Sequence, residues 1–429
     1  MIKVGVGSSV ITPPVGTSLA GYFHDRVSTA VRDDLQAKAV VFEDGGIKIA
    51  FVACDLCRMM QSEVHKTRAV VSEATGIPPQ NTWISATHTH TGPETHLNKH
   101  VPINQAWIGR LPQMVADAVI RANANLRPAT LRLGEEYEDG VAFNRRFRMT
   151  DGTVRFNPPK QDPNIIGPDG PIDPQVNVLR IDGPDKQPIA IIANYALHPD
   201  TIGGVEISGD HPAEMSRIVS SLYPSKPLVI YMQGTCGNIN HRNIDDPDQQ
   251  SSEPEMVRIA RVIAGKVLAG SEMSKPMESE NLGVSSEIVG ILYHPMTEAL
   301  RERAADIRRM ENATEIEIAQ AIRIEEYDLD GQTAQAEVQA LRIGDVGFVG
   351  VPGEYFVEYG LSIKEWSPFD QTFVGELANG TFGYIPTLDA FYPGTYETMP
   401  ILSATLEPSA GVRIANAAGQ MLRELADAR

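Results

Sequence analysis

Four apolar runs in this chain stop abruptly at polar residues, and this pattern constrains the fold more than any other feature. Ile49 to Cys54 ends at Asp55 and gives way to a helical pattern through about Ala74, while Thr82 to Thr87 leads to His88 and His90. Ile189 to Tyr195 leads to His198-Pro199, and Leu228 to Gln233 leads to the Gly-rich stretch Gly234 to Asn240. Buried strands of this length with helical patterns between them predict an α/β fold: a mixed β-sheet core, expected as two sheets, flanked by helices. In open α/β sheets, ligands bind outside the carboxyl ends of strands. Four polar strand ends therefore predict a site assembled from several elements.

The sharpest of these ends is Ala86-Thr87-His88-Thr89-His90-Thr91-Gly92-Pro93. In an extended segment the side-chain period is two, which puts His88 and His90 on one face, and Gly92-Pro93 stops the strand just beyond them. The pair reads as half of a metal site; the alternative is two histidines hydrogen-bonded in or near a core. A catalytic zinc needs about three nitrogen or oxygen ligands and an open position. His88, His198 and Glu354 would supply them, each at the end of an apolar strand. His24, His65, His100 and His294 lack such a setting, and His96 and His211 fall in loops near other polar groups. All six are expected at the surface or in supporting roles, and His241 is undecided.

Elsewhere the pattern is structural. Residues 156–174 are dense in Pro, Asp and Gly and predict a long ordered loop or lid. Residues 296–326 are rich in Glu, Arg and Ala at helical spacing, and their charges predict a solvated helical face that binds nothing. Ala336 to Ile343 and Val346 to Val351 flank Gly344-Asp345, the turn of a β-hairpin whose second strand delivers Pro352-Gly353-Glu354 to a helix start. Pro408 to Ala428 reads as an amphipathic closing helix. With no internal repeat or linker in view, residues 1–429 are expected to form a single catalytic domain.

Composition excludes several functions. Acidic residues outnumber basic ones 55 to 37, a net charge of -18, which disfavours nucleic acid and anionic membranes as partners. No apolar run is long enough to span a bilayer, so stable membrane insertion is not expected. The start, Met1 to Gly7, has no leader pattern, which predicts a cytoplasmic location. Cys54, Cys57 and Cys236 are an odd trio, so no closed disulfide framework forms and buried, inert thiols are expected. An oligomer is compatible with a scaffold of this size but not required for its stability.

With these motifs in place the residues carry a family likeness: the chain resembles the catalytic region of the neutral/alkaline non-lysosomal ceramidases. The motifs, in order, are Gly5-x-Gly7 with Ile11-Thr12-Pro13 and Gly21-Tyr22, then Val52-Ala53-Cys54-Asp55, then Ala86 to Pro93. They continue through Asn144-Arg145, Tyr195-Ala196-x-His198-Pro199, Ser208-x-Asp210 and Gln233-x-x-x-Gly237-Asn238. Pro352-Gly353-Glu354 and Asn379-x-x-x-x-Tyr384-Ile385-x-Thr387 complete the series.

The resemblance implies a ceramidase-like fold and one Zn2+ held by His88, His198, Glu354 and a tyrosine, with Tyr384 at the matching position. It implies hydrolysis of an N-acyl amide by a metal-activated water. Family sequences often have two tyrosines in this segment, and the earlier position here is Thr381; read without the resemblance, Tyr384 is equally a packing aromatic beside Phe382. His90 is the expected proton carrier. Arg145 is expected at the developing oxyanion or a substrate carboxylate. Asp55 and Asp210 are expected to fix imidazole tautomers, although an Asp after a strand is equally a helix cap.

Two departures bear on the substrate. Asn240 stands where the family has serine, which excludes a serine acyl-enzyme there but leaves an amide able to bind substrate. Asn238, His241 and Arg242 are its expected companions on the substrate side. The family also carries an additional C-terminal β-sandwich domain and works mostly outside the cytoplasm, whereas this sequence ends after the catalytic region. A small molecule, smaller and more polar than ceramide and anionic if Arg145, His241 and Arg242 face it, is the expected substrate. The alternatives are an ester or lactone hydrolase with the same site, and a metal- or ligand-binding protein without turnover.

Overall fold

The computed structural model describes residues 1–96, 101–392 and 394–428. Its principal strands fall into three sheets built to one plan. The first holds β1 (Lys3–Val10), β2 (Gln36–Asp44), β3 (Ile47–Cys54) and β4 (Thr82–Ala86). β1, β2 and β3 pair antiparallel in sequence; α1 (Gln61–Thr75) then crosses over so that β4 lies parallel to β3, and α2 (Leu111–Ala124) follows.

The second sheet repeats this order with β5 (Thr130–Tyr137), β6 (Gln175–Asp182), β7 (Pro188–Tyr195), α3 (Asp210–Ser221), β8 (Leu228–Gln233) and α4 (Glu253–Met273). The third starts with β9 (Leu282–Leu292) and inserts the helical pair α5 (Glu298–Arg309) and α6 (Glu315–Glu325). It resumes with β10 (Thr333–Ile343), β11 (Val346–Gly350), α7 (Val357–Trp366), β12 (Gln371–Gly375) and α8 (Ala410–Asp427). In each sheet the last two strands form the one parallel pair.

Alternation of side chains explains how the sheets pack. Inward residues of all three meet in one core: Val40, Phe51 and Trp83 from the first, Leu179, Ile192 and Ile230 from the second, Leu341, Phe348 and Phe373 from the third. The rings of Phe51 and Trp83 lie 5.4 Å apart and those of Phe348 and Phe373 4.6 Å, contacts that add about 0.5–1.5 kcal/mol each beyond burial. Gly350 and Gly375 end their strands without side chains because a Cβ on either would meet the Trp83 ring at 3.0 Å or less. The outward faces are covered by the helices: α1 and α2 on the first sheet, α3 and α4 on the second, α7 and α8 on the third.

The mixed α/β expectation holds, and the strand ends lie where the apolar runs place them. The count of two sheets does not: among the described residues three sheets of four or five strands form, with four smaller ones. The three units repeat in topology, a repetition distinct from the sequence repeat that the chain lacks. Residues 156–174 are more structured than a bare loop, since Val154–Phe156 and Ile165–Pro168 both pair with Arg146–Met149. The charged segment 296–326 is two helices, the second opened by a capping box of Thr314 and Glu317. Among the described residues, no helix is long and apolar enough to cross a membrane.

Candidate metal centre

The carboxyl ends of the three parallel pairs point to one place. β4 leads to His88 and His90, β7 to His198, β8 to Cys236, β11 to Glu354 and β12 to Glu376. The strand carrying the His-x-His stops at Ala86, so the two imidazoles do not share a face by alternation. Instead His88 takes a left-handed backbone, φ +73°, while its N–H donates to Leu56 O at 2.8 Å. Such a conformation costs a non-glycine residue about 1–2 kcal/mol and turns the ring back toward His90.

The donor atoms of His88, His198 and Glu354 all lie within 4.8 Å of one another. His88 Nε2 is 3.0 Å from His198 Nε2 and 3.4 Å from Glu354 Oε2, and His90 Nε2 sits 3.4 Å and 3.0 Å from the two imidazole nitrogens. Tetrahedral ligands with bonds of about 2.05 Å are separated by about 3.3 Å, so these spacings fit a metal-binding set. Glu354 Oε2 is buried and accepts no hydrogen bond, as an oxygen reserved for a cation would be. His90 groups with Cys57 and His88 rather than with Glu354.

The electrostatics suit a cation. Burial and the neighbouring His88 hold His90 and His198 well below the ordinary imidazole range, which keeps them neutral. Burial works against charge on His88 and Glu354 alike, yet each sustains the other: the Cys57 thiol and the carboxylate raise His88, and His88 lowers Glu354. The Tyr384 hydroxyl lies against the Glu354 carboxylate, and burial holds it protonated. A cavity of about 140 Å³ opens over these groups, lined by His88, His90, Glu354, Tyr22, Tyr384 and Tyr396.

The remaining expected residues lie elsewhere. Arg145 does not line the cavity: its Nε donates to Glu397 at 3.0 Å and its Nη2 to Gly237 O at 2.7 Å, with the guanidinium over the Tyr384 ring. It backs a tyrosine and is not open to an oxyanion. Asn240 donates to Asn157 at 3.1 Å, and Asn238 donates to Glu358 while accepting the first N–H of α7. His241 bonds Ser251 and faces Asp200, and Arg242 donates to Pro158 O. None of the four lines the cavity.

Asp55 and Asp210 do not hold the imidazoles either. Asp55 accepts from Gln36 N at 3.0 Å, and Asp210 ties down the loop after His198 through Thr201 N and Ile202 N. The imidazole partners are two of the cysteines expected to be inert: His88 Nδ1 donates to Cys57 O at 2.8 Å, and His198 Nδ1 lies 3.6 Å from Cys236 Sγ. Cys236 in turn donates to the fully buried Glu376, whose pKa burial pushes up to about 7. No sequence motif points to Tyr396; its hydroxyl donates to Tyr384 at 3.3 Å, from a turn held by the buried Glu397. His24, His65 and His294 are peripheral, and His100 lies outside the described residues.

An α/β scaffold whose strand ends gather imidazoles and a carboxylate over a small cavity defines a protein with a metal-binding constellation. Comparison with known proteins agrees: residues 2–214 match the family model "Neutral/alkaline non-lysosomal ceramidase, N-terminal". Neutral ceramidase 1 of Arabidopsis thaliana is 27% identical over 237 residues, covering 51% of this chain and 29% of the relative. The neutral ceramidase of Mycobacterium tuberculosis is 26% identical over 228 residues, covering 49% and 34%. The matched stretch thus spans about a third of these relatives or less. The crystal structure of neutral ceramidase from Pseudomonas aeruginosa shares the fold with a TM-score of 0.77 at 18% identity, covering 99% of this chain and 74% of that one. Over residues 2–214 the chain is thus similar to the neutral/alkaline non-lysosomal ceramidase family.

Proposed function

We propose that the chain is a zinc-dependent hydrolase that cleaves a carbon-nitrogen amide bond in a small molecule more compact and more polar than ceramide. The observation that carries this is the buried set of His88, His198 and Glu354, with an unpaired carboxylate oxygen aimed at two imidazole nitrogens. Imidazole with carboxylate suits zinc, which when bound activates water as a nucleophile and polarises a carbonyl.

The chain's own groups supply the rest. Cys57 O and Cys236 Sγ orient His88 and His198, leaving the Nε2 atoms of the two rings 3.0 Å apart. His90, neutral and 3.0 Å from His198 Nε2, accepts the proton of the attacking water and returns it to the leaving nitrogen. Tyr384 lies beside Glu354, and the Tyr396 hydroxyl next to it is a donor for the carbonyl oxygen as charge develops. Asn240, outside the cavity, takes no part.

Elemental analysis of the purified protein and of His198→Ala tests the metal, and acyl anilides test the reaction. The proposal expects about one zinc per chain, lost in the variant together with anilide cleavage. A protein free of metal when prepared without chelator, or a variant that keeps it, overturns the ligand assignment. Cleavage of aryl esters alone would move the reading to an ester or lactone hydrolase.

A further inference from the structure

The cavity over the histidines carries more positive charge than the hydrolytic groups require. Arg58 follows Cys57, whose carbonyl holds His88, and Arg323 arrives on α6; both line the cavity. They share one buried carboxylate. Arg58 Nη2 lies 3.2 Å from Glu94 Oε2, and Glu94 is also within electrostatic reach of Arg323. Glu94 is further occupied by the N–H groups of Thr95 and His96.

Glu354 also reaches Arg58 across the cavity, but its charge is shared with His88. Arg323 Nη2 lies 3.4 Å from His96 Nδ1, and burial and the two arginines push that imidazole down to about 4, so it is a neutral acceptor. Among the described residues Glu326 also reaches Arg323, from an exposed position at the end of α6. Arg58 Nε is buried without an acceptor. Guanidinium remains charged at any physiological pH, and its planar fork matches a carboxylate.

We propose that Arg58 and Arg323 bind a carboxylate on the substrate, close to its scissile amide, so that the chain hydrolyses N-acyl amino acids rather than neutral lipid amides. This rests on the amide hydrolase reading above. The volume agrees: about 140 Å³ is close to the roughly 150 Å³ cavity that accommodates one benzene, enough for an amino acid or a short acyl group. Water adds to the carbonyl carbon, and the C–N bond breaks with its electron pair going to nitrogen, which takes up a proton. The products are a carboxylate and a free amino acid. Arg323 sits on the helical insertion between β9 and β10, so specificity is carried by an element separate from the strand ends that hold the metal ligands.

The test compares acetate release from N-acetylalanine and from its primary carboxamide, with isothermal titration of N-acetylalanine into the metal-stripped full chain as a separate readout. The expected kcat/KM favours the carboxylate by about tenfold or more. Arg323→Gln is expected to bring that preference close to parity through KM and to abolish the titration signal, with Arg323→Lys retaining part of both. The substrate pair on the unaltered protein decides the matter even if a variant folds poorly. Equal turnover of the two compounds with no carboxylate binding overturns this inference and leaves the hydrolase standing. Binding that depends on Arg323 with no turnover of either compound supports the carboxylate site and overturns the hydrolase. Neither turnover nor binding overturns both.

Discussion

The cluster around His88 and the loop from Asn238 to Arg242 look alike in sequence: each follows an apolar strand and each is crowded with polar side chains. In the fold they differ in what their polar groups face: the loop's amides and the Arg242 Nη2 find partners, although His241 Nδ1 and Arg242 Nε are left without one. Asn238, Asn240 and Arg242 find partners in Glu358, Asn157 and Pro158 O, and so brace α7 and the loop before residue 160. At the strand ends, by contrast, three imidazole nitrogens face one another, and Glu354 Oε2 lies 3.4 Å from His88 Nε2 without a formed hydrogen bond. A buried polar atom left without a partner costs about 1–3 kcal/mol, so the second arrangement persists where a ligand repays it. The candidate site is marked by donor atoms that the fold turns toward one another.

That contrast can be broken at both ends. His198→Ala should have the largest effect, taking turnover to below about a thousandth and stripping the metal, as read by kinetics with elemental analysis. Chelation of the intact protein should lower its stability by about 4 kcal/mol at metal concentrations a thousandfold above Kd, measured by denaturant titration with and without zinc. Cys236→Ala removes the neighbour of His198 Nδ1 and should weaken metal binding by about 10- to 100-fold in a competition with a chromogenic chelator. Asn240→Ala should cost about 1 kcal/mol in stability while kcat/KM moves less than about threefold. A large kinetic effect of this last change would erase the distinction between the two regions.

Much of the site is legible in the order of residues alone. His88, His198 and Glu354 stand at the ends of apolar strands, and strand ends in α/β folds converge. Tyr384, carried by a motif, also reaches the site. What stays hidden does so for a physical reason. Asp55 and Asp210 look like imidazole partners because carboxylates commonly serve so, yet a backbone carbonyl of Cys57 and a thiol of Cys236 take that part, and no residue pattern announces a carbonyl. Arg58 and Arg323 give no signal because one sits in a loop and the other in a charged helix that reads as solvated. Only the placement of α6 against the cavity separates Arg323 from its exposed neighbours. The threefold repetition of topology leaves no trace in the chain because hydrophobic alternation preserves a sheet without preserving any residue.

Because one member of the proposed ligand set comes from each sheet, the order in which the chain folds is constrained as well. His88 and His198 are 110 residues apart, and Glu354 waits on the last sheet to form. Contacts of such separation carry the heaviest loop-closure entropy and form late. A metal bound by the proposed set would therefore not nucleate this protein as it does a small zinc finger; it would act as a latch that closes only on a finished assembly. Its uptake during refolding would time the docking of the third sheet onto the other two.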